Sequence, residues 1–479
     1  MNSLLEYSFR ENILGHQLFD SIINYHNDYQ SYILSGGNNL DFDYVTNNQK
    51  KQSKKKQSKK KQIKKKQIKK KQIKKKQSKI EQSSQEIQES SVTFSKRDII
   101  TQDIEFIKPC QEIVIEKQHR NLNFYFKIPR MIHLKVNDKT IRYKIESNLD
   151  DTSSLPTGGF SCIVTYRPKH KQNKLGVAMK CIDVTSLLLY KNTSEEKIQR
   201  EINILREIQQ FSKIDNVQTL VHFIGDKREV ITRTTGEEHE ISYILMEKMD
   251  HDLSHLLRLE QSRLEKILTM TNFRLIGRQI YDGLAALHNN NLVHNDMKPG
   301  NILYSVKQGK VVIRLTDFNG SFHIVPIDKQ IESKTTGTLG YNSPEKTYDY
   351  KNVTEKTDVW TTALILYQLV NCYKTQTKSS KRANEARLKG SSPVLIISRR
   401  YKKNFCHITD KIQCKKKQIH YLLSEKLHNL IEYLQKGTGF LQQPEDIKNY
   451  KEILENSLCK DINKRWSAKK IMSQSLFIV

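Results

Sequence analysis

The chain has 479 residues, 37% of them hydrophobic, and a formal net charge of +29 at pH 7. At roughly 100 to 200 residues per domain it has room for one large core or two to three smaller ones, so multi-lobed enzymes fit, while the apolar share is low for one compact body and points to a tail. Seven cysteines, odd in number and without a CxxC pair, argue against a secreted disulfide framework. With no secretory start and no apolar run of membrane-spanning length, the expectation is an intracellular protein of the cytoplasm or nucleus without a membrane span.

Residues 1–49 mix aromatic and apolar side chains and show no chemical constellation, so no role is assigned to them. Residues 50–79 are six copies of K-K-Q-[S/I]-K and carry 18 lysines without an acid, leaving +11 for the rest of the chain. Repelling like charges predict disorder. This low-complexity repeat suits an import receptor or another anionic partner; the plain alternative is an expansion that only solvates the N-terminus. Residues 80–139 read as a polar linker running into extra strands, with "RMIHLKV" and "KTIRYKI" flanking the turn "ND". Strands, a helix over 194–210 and further strands to 247 give a small mainly-β lobe over 140–249. Helices dominate a larger mainly-α lobe over 250–479, with "MEKMDHD" as a hinge where a ligand cleft is expected. The predicted fold class is α+β and bilobal, with an N-terminal extension. Within an insert over about 374–440, Leu422, Leu423, Leu427, Leu430, Ile431 and Leu434 predict a helix, and the basic residues nearby suit acidic substrates or partners.

The stretch "LVHNDMKPGNILYS" (292–305) follows a helix whose Phe273, Ile276, Ile280, Leu284 and Leu287 form one apolar stripe. It precedes "NILYSV" and "KVVIRLTDF", which flank "KQGK" as an antiparallel hairpin. Pairing brings Asn301, at the start of the first strand, beside Asp317, at the end of the second. An amide oxygen and a carboxylate at one rim are suitable hard ligands for Mg²⁺. Asp296 and Lys298 lie on the same loop.

"HNDMKPGN" resembles the catalytic loop of eukaryotic protein kinases, and "DFN" their DFG. "VAMK" (177–180), "REINIL", "GTLGYNSPE" (337–345), "DVWTTA" (358–363) and "KDINKRWSA" (460–468) resemble further family motifs in family order, so the resemblance covers about 140–479. It implies ATP and Mg²⁺ as cofactors. Asp296 would accept or orient the acceptor hydroxyl's proton, Lys298 would steady the transferring phosphoryl group, and Asn301 and Asp317 would hold Mg²⁺. Lys180, clamped by Glu201 21 residues later, would hold the α and β phosphates. Met246 would be the gatekeeper; the backbone of Glu247 and Met249 would bond adenine, Asp252 would reach ribose, and Ala178, Ile163 and Leu303 would sandwich the base. Lys298 and Thr338 resemble the serine/threonine type, so a protein substrate with a serine or threonine acceptor is implied. Asp358 would tie down the catalytic loop, and Glu345 and Arg465 would pair beneath the activation segment.

The chain departs from the family pattern in its phosphate loop, "PTGGFSCI", where Pro156 and Ser161 replace glycines and leave Gly158 and its neighbour Gly159. Proline removes an amide that would approach phosphate, so nucleotide affinity comes into question. Asn295 replaces the arginine that meets an activation-loop phosphate, and Asn319 replaces the DFG glycine. Two readings follow: an active serine/threonine kinase, or a catalytically weak or inactive kinase-fold scaffold that acts by binding proteins.

Overall fold

The computed structural model describes residues 100–478 except 107–111, 120–121, 137–138, 147–156, 159–160, 170–175, 190–194, 325–336, 349–352, 373–391, 406 and 437–438. Residues 1–99, the lysine repeat among them, lie outside the described residues.

The first body is a curled sheet. Its strands are β1 (Ile100–Phe106), β4 (Met131–Val136), β5 (Lys139–Ile145), β7 (Ser161–Pro168), β8 (Val177–Asp183), β10 (Glu238–Glu247) and β9 (Phe223–Thr232), in that spatial order, with β6 (Thr157–Gly158) on β7. Every neighbouring pair is antiparallel. The sheet curls far enough for β1 to touch β9. Period-two alternation gives it two faces. On β7 and β8, Cys162, Val164, Tyr166, Val177, Met179 and Cys181 are buried on one face, whereas Ile163, Thr165, Ala178 and Lys180 are half-buried on the other.

The buried face is filled by a separate hairpin, β2 (Glu112–His119) and β3 (Leu122–Pro129), through Ile115, Phe124, Phe126 and Ile128. The Tyr166 hydroxyl donates to Pro129 O (2.7 Å) and the Tyr243 hydroxyl to Lys127 O (2.8 Å). Fully buried aromatic side chains of this kind each stabilise a fold by about 1.5–3 kcal/mol. The residues expected to form a polar linker and extra strands are therefore, from Ile100, part of the small lobe, which the alternation of Leu122, Phe124, Phe126 and Ile128 along β3 allows but does not by itself dictate. Asp183 pins the hairpin down. Wholly buried, it accepts from Tyr125 N (2.9 Å), Ser186 N (3.0 Å) and Ser186 Oγ (2.6 Å), with His239 Nδ1 at 3.2 Å.

After β8 come a short α1 (Val184–Leu189) and α2 (Glu195–Ile214), whose stripe of Ile198, Ile202, Leu205 and Ile208 is buried. Glu195 and Glu196 in its first turn and Lys213 in its last complement the helix dipole.

Beyond β10 the chain becomes helical: β11 (His251–Asp252), α3 (Leu253–Arg258), α4 (Gln261–Ile267) and α5 (Met270–Asn289). A short β12 (Leu292–Val293) precedes the hairpin β13 (Ile302–Lys307) and β14 (Lys310–Leu315), with β15 (Phe322–His323) pairing β12. Among the described residues the remaining α-helices are α6 (Pro344–Tyr348), α7 (Lys356–Val370), α8 (Pro393–Ser398), α9 (Lys411–Glu425), α10 (Leu427–Lys436), α11 (Pro444–Ser457) and α12 (Ala468–Met472). One continuous apolar core joins them to the inner side of α2. The helix expected through Leu422 to Leu434 is two helices. At Lys426 the backbone leaves helical geometry (φ −126°, ψ 27°) while its amide caps Leu422 O; both helices pack on α8, and beyond it α9 meets α6 whereas α10 meets α11. Among the described residues no helix is long and apolar enough to cross a membrane.

Candidate active site

Lys180 lies on the half-buried face of β8, and its ammonium bonds both Glu201 oxygens (2.7 and 2.9 Å) and Asp317 Oδ1 (3.3 Å). Glu201 reaches it because it sits beside the buried stripe of α2, itself 4% exposed. Burial pulls the lysine pKa down, but the two carboxylates outweigh it and hold the group above its ordinary value, so Lys180 is a permanent cation.

Asp317 takes a left-handed backbone (φ 64°, ψ 70°), a conformation Asp tolerates better than most residues. The turn after it, Phe318–Gly320, packs on α2, which fixes the strained residue between the lobes. Burial raises its pKa; Lys180 and Lys298 outweigh that and hold the carboxyl below its usual value.

Asp296 is held from three directions. Thr338 Oγ1 donates to Oδ1 (2.8 Å), while Lys298 Nζ (2.7 Å) and Asn301 Nδ2 (3.3 Å) donate to Oδ2. Asn301 Nδ2 also donates to Asp296 O (2.8 Å), which turns its amide oxygen the other way. Thr316 N donates to Asn301 O (3.0 Å), and Ile302 pairs Leu315, so the hairpin register brings Asn301 and Asp317 to the same end of β13 and β14. The loop that carries Asp296 hangs from α7: Asp358 accepts from His294 N (2.9 Å) and Asn295 N (2.8 Å), with His288 Nε2 at 3.0 Å.

Along the side of the cleft where adenine is expected, Met246 is buried on β10 and pairs Ala178; Ile163 pairs Lys180; Leu303 pairs Asp252. The side chain and the amide of Glu247 are both engaged within the fold, which leaves its backbone carbonyl as the group that could meet adenine. The side chain is buried against Arg314 (2.7 Å) and accepts from His222 N (3.0 Å), and the Glu247 amide donates to His222 O (2.9 Å). Met249 Sδ receives Ser305 Oγ (3.8 Å). Asp252 caps α3, accepting from His255 N (2.8 Å). Gly158 pairs Ser161 on β7. Gly159 and Pro156 lie outside the described residues.

Lys346 carries no signal in the sequence beyond its place after Glu345. It is 5% exposed, and its ammonium donates to Asn295 O beneath the catalytic loop. Gly337, at φ +134°, lies so near that a Cβ would stand 2.5 Å from Nζ. Burial lowers the Lys346 pKa to about 8, against the pull of Asp296, Asp358 and Glu345. Asn295, where the family carries arginine, adopts φ 65° and donates Nδ2 to Gly320 O (2.8 Å).

A curled sheet over a helical lobe, with these polar groups at their junction, is the architecture of a protein kinase. A family model described as "Protein kinase domain" matches residues 150–477, and the chain belongs to the protein kinase family. Calcium/calmodulin-dependent protein kinase type 1 of Caenorhabditis briggsae is 28% identical over 239 residues, 50% of this chain and 59% of that protein. Mitogen-activated protein kinase 2 of Oryza sativa subsp. japonica is 27% identical over 237 residues, 48% and 54%. The interferon-induced, double-stranded RNA-activated protein kinase of Mus musculus is 25% identical over 247 residues, 51% and 44%. The chain thus spans about half the length of these relatives.

Proposed function

We propose that the chain is an active serine/threonine kinase that transfers the γ-phosphoryl group of ATP to protein hydroxyls. The observation that carries this is the set of bonds on Asp296. Thr338, Lys298 and Asn301 fix the carboxylate, and Oδ1, which accepts only from Thr338, keeps a lone pair for a substrate hydroxyl. In this reading Asp296 orients the hydroxyl and takes up its proton, while Lys298 steadies the group in transfer. Lys180, charged through Glu201, binds phosphate oxygens and lowers the energy of charge moving toward the leaving group.

An all-oxygen pair, the Asp317 carboxylate and the Asn301 amide, fits Mg²⁺. The Asp317 side chain is 28% exposed, so an edge remains open to a ligand. When bound, the metal neutralises phosphate charge. Met246, Ala178, Ile163 and Leu303 would flank adenine, with Met249 as the hinge contact. Gly158 and Gly159 would approach the phosphates. Asp252, committed to its cap, would meet ribose only with its second oxygen. The free cysteines among the described residues suit a reducing, intracellular setting, cytoplasm or nucleus.

A phosphate-transfer assay on a generic basic protein, comparing the chain with Asp296→Ala, tests the proposal. The expected result is incorporation reduced about 10²–10⁴-fold in the variant. Incorporation that is absent with Mg²⁺ and Mn²⁺ would instead favour the protein-binding scaffold to which the proline in the phosphate loop points, and incorporation equal in both proteins would overturn the role given to Asp296.

A further inference from the structure

Outside the cleft, the insert presents a fixed cationic surface. Arg399, Arg400, Lys402 and Lys403 are exposed on the turn Arg399–Phe405, and Lys411 and Lys415 to Lys417 on the first half of α9. The only carboxylate over 399–417 is Asp410, and it is occupied: it caps α9, accepting from Ile412 N (2.7 Å) and Gln413 N (2.8 Å). No carboxylate among the described residues lies within ion-pair distance of these eight cations. Gln418, Ile419, Leu422 and Leu423, on the second half of α9, are buried and anchor the helix, and the turn packs along it.

Its position matters as much as its charge. α8, which leads into the turn, packs on the loop around Gly340; at φ +99°, a Cβ there would lie 2.5 Å from Leu395 Cγ and 2.6 Å from Ser392 Oγ. That loop also carries Thr338, bonded to Asp296, and α9 touches α6 just beyond it. Two residues of loop and a six-residue helix place the start of the cationic surface within roughly 20 Å of Asp296, a gap that about six extended residues cross.

We propose that this surface docks an acidic stretch of the protein substrate whose hydroxyl is presented to Asp296; the proposal rests on the kinase reading above. An acidic peptide suits it better than a nucleic acid. The turn's aromatics, Tyr401 and Phe405, meet Tyr421 edge-on at 5.2 and 5.9 Å, so they are engaged with α9 rather than offered to bases. Exposed charges of one sign attract at range and lose that attraction as salt rises.

The test uses the full chain and serine peptides with or without six consecutive acidic residues, set three, six or ten positions from the acceptor on either side. The expected result is a KM about tenfold or more lower for a tract at six or ten positions, with kcat unchanged and the gain abolished by salt near 0.5 M. A chain carrying Lys402→Glu, Lys403→Glu, Lys415→Glu, Lys416→Glu and Lys417→Glu loses that gain and keeps its activity on the tract-free peptide. Both proteins retain the lysines of 50–79, so binding through that repeat is common to both. Fluorescence anisotropy of the same peptides on Asp296→Ala chains, with and without the charge reversals, reads docking without transfer. Charge-dependent binding there with no transfer in the intact chain would remove the activity and keep the docking surface. A tract that changes neither KM nor binding, a gain that survives charge reversal, or reversal that abolishes binding of a single-stranded RNA but not of the peptide would overturn it.

Discussion

Lys346 is a lysine with almost no access to water, held under the catalytic loop by the carbonyl of Asn295. Its folded pKa of about 8 lies below the free value of 10.5. Below pH 8 both states are protonated and the native state carries the full desolvation penalty. Between about pH 8 and 10.5 the unfolded chain holds a proton the native one has released, so stability rises with pH. Denaturant titrations at pH 7 and pH 10 are expected to show a gain of up to about 3 kcal/mol in the wild type, relative to Lys346→Met. Equal slopes in the two proteins would mean that the ammonium is hydrated. Asn295 combines a left-handed backbone with a buried bond to Gly320 O. Asn295→Ala is expected to lose about 1–3 kcal/mol and Asn295→Gly less, because glycine forfeits the bond without the strain. Equal losses in thermal denaturation would show that the backbone angle does not matter.

At the scale of elements, α6 and the segment before α12 are joined by Arg465, whose guanidinium bonds both Glu345 oxygens (2.7 and 3.1 Å) and lies 5.3 Å from the Trp360 ring centroid. Arg465 is 1% exposed and Glu345 8%, so removing either partner strands a buried charge. Arg465→Met is expected to destabilise the chain by about 3–5 kcal/mol, and Arg465→Met with Glu345→Gln by clearly less, in a double-mutant cycle. Additive losses would argue that the pair is solvated. The buried residues at Asp358 on α7 act on the catalytic loop by the same logic. Burial raises the Asp358 pKa, but the bonds from His288 and His294 outweigh it and hold the carboxyl below its usual value. Its contribution is therefore present above the unfolded carboxylate pKa and lost as pH falls through the lower folded one. An Asp358→Asn chain should show less acid-dependent loss below about pH 4 than the wild type.

Over the whole molecule, the small lobe is a sheet covered on both faces: by α2 on the side that carries Lys180, and by the β2–β3 hairpin on the other. A chain beginning at residue 138 would expose Tyr166, Met179, Cys181 and Tyr243. It is expected to aggregate or to melt more than 10 °C lower; melting within about 2 °C of the full chain would show the hairpin to be dispensable. Phe126→Ala, which leaves the chain length intact, should lose about 3–5 kcal/mol.

The sequence by itself determined the order of the candidate polar residues, the stripes that build α2 and α5 and the all-round apolar character of α7, because side chains three, four or two residues apart share a face wherever the backbone is regular. The hairpin pattern placed Asn301 beside Asp317 and the helical stripe placed Glu201, whereas Lys180 and Asp296 were legible through the motifs that resemble those of protein kinases. What only the tertiary structure decided were pairings between distant segments. Glu247 turned to Arg314, 67 residues on. The β2–β3 hairpin was folded onto the small lobe's sheet by contacts such as Tyr125 N to Asp183, 58 residues on, and Lys346 was buried beneath a loop it follows by 51 residues. No local periodicity encodes such contacts, since burial, and with it the energetic meaning of a charge, is fixed by whichever remote surface closes over the residue.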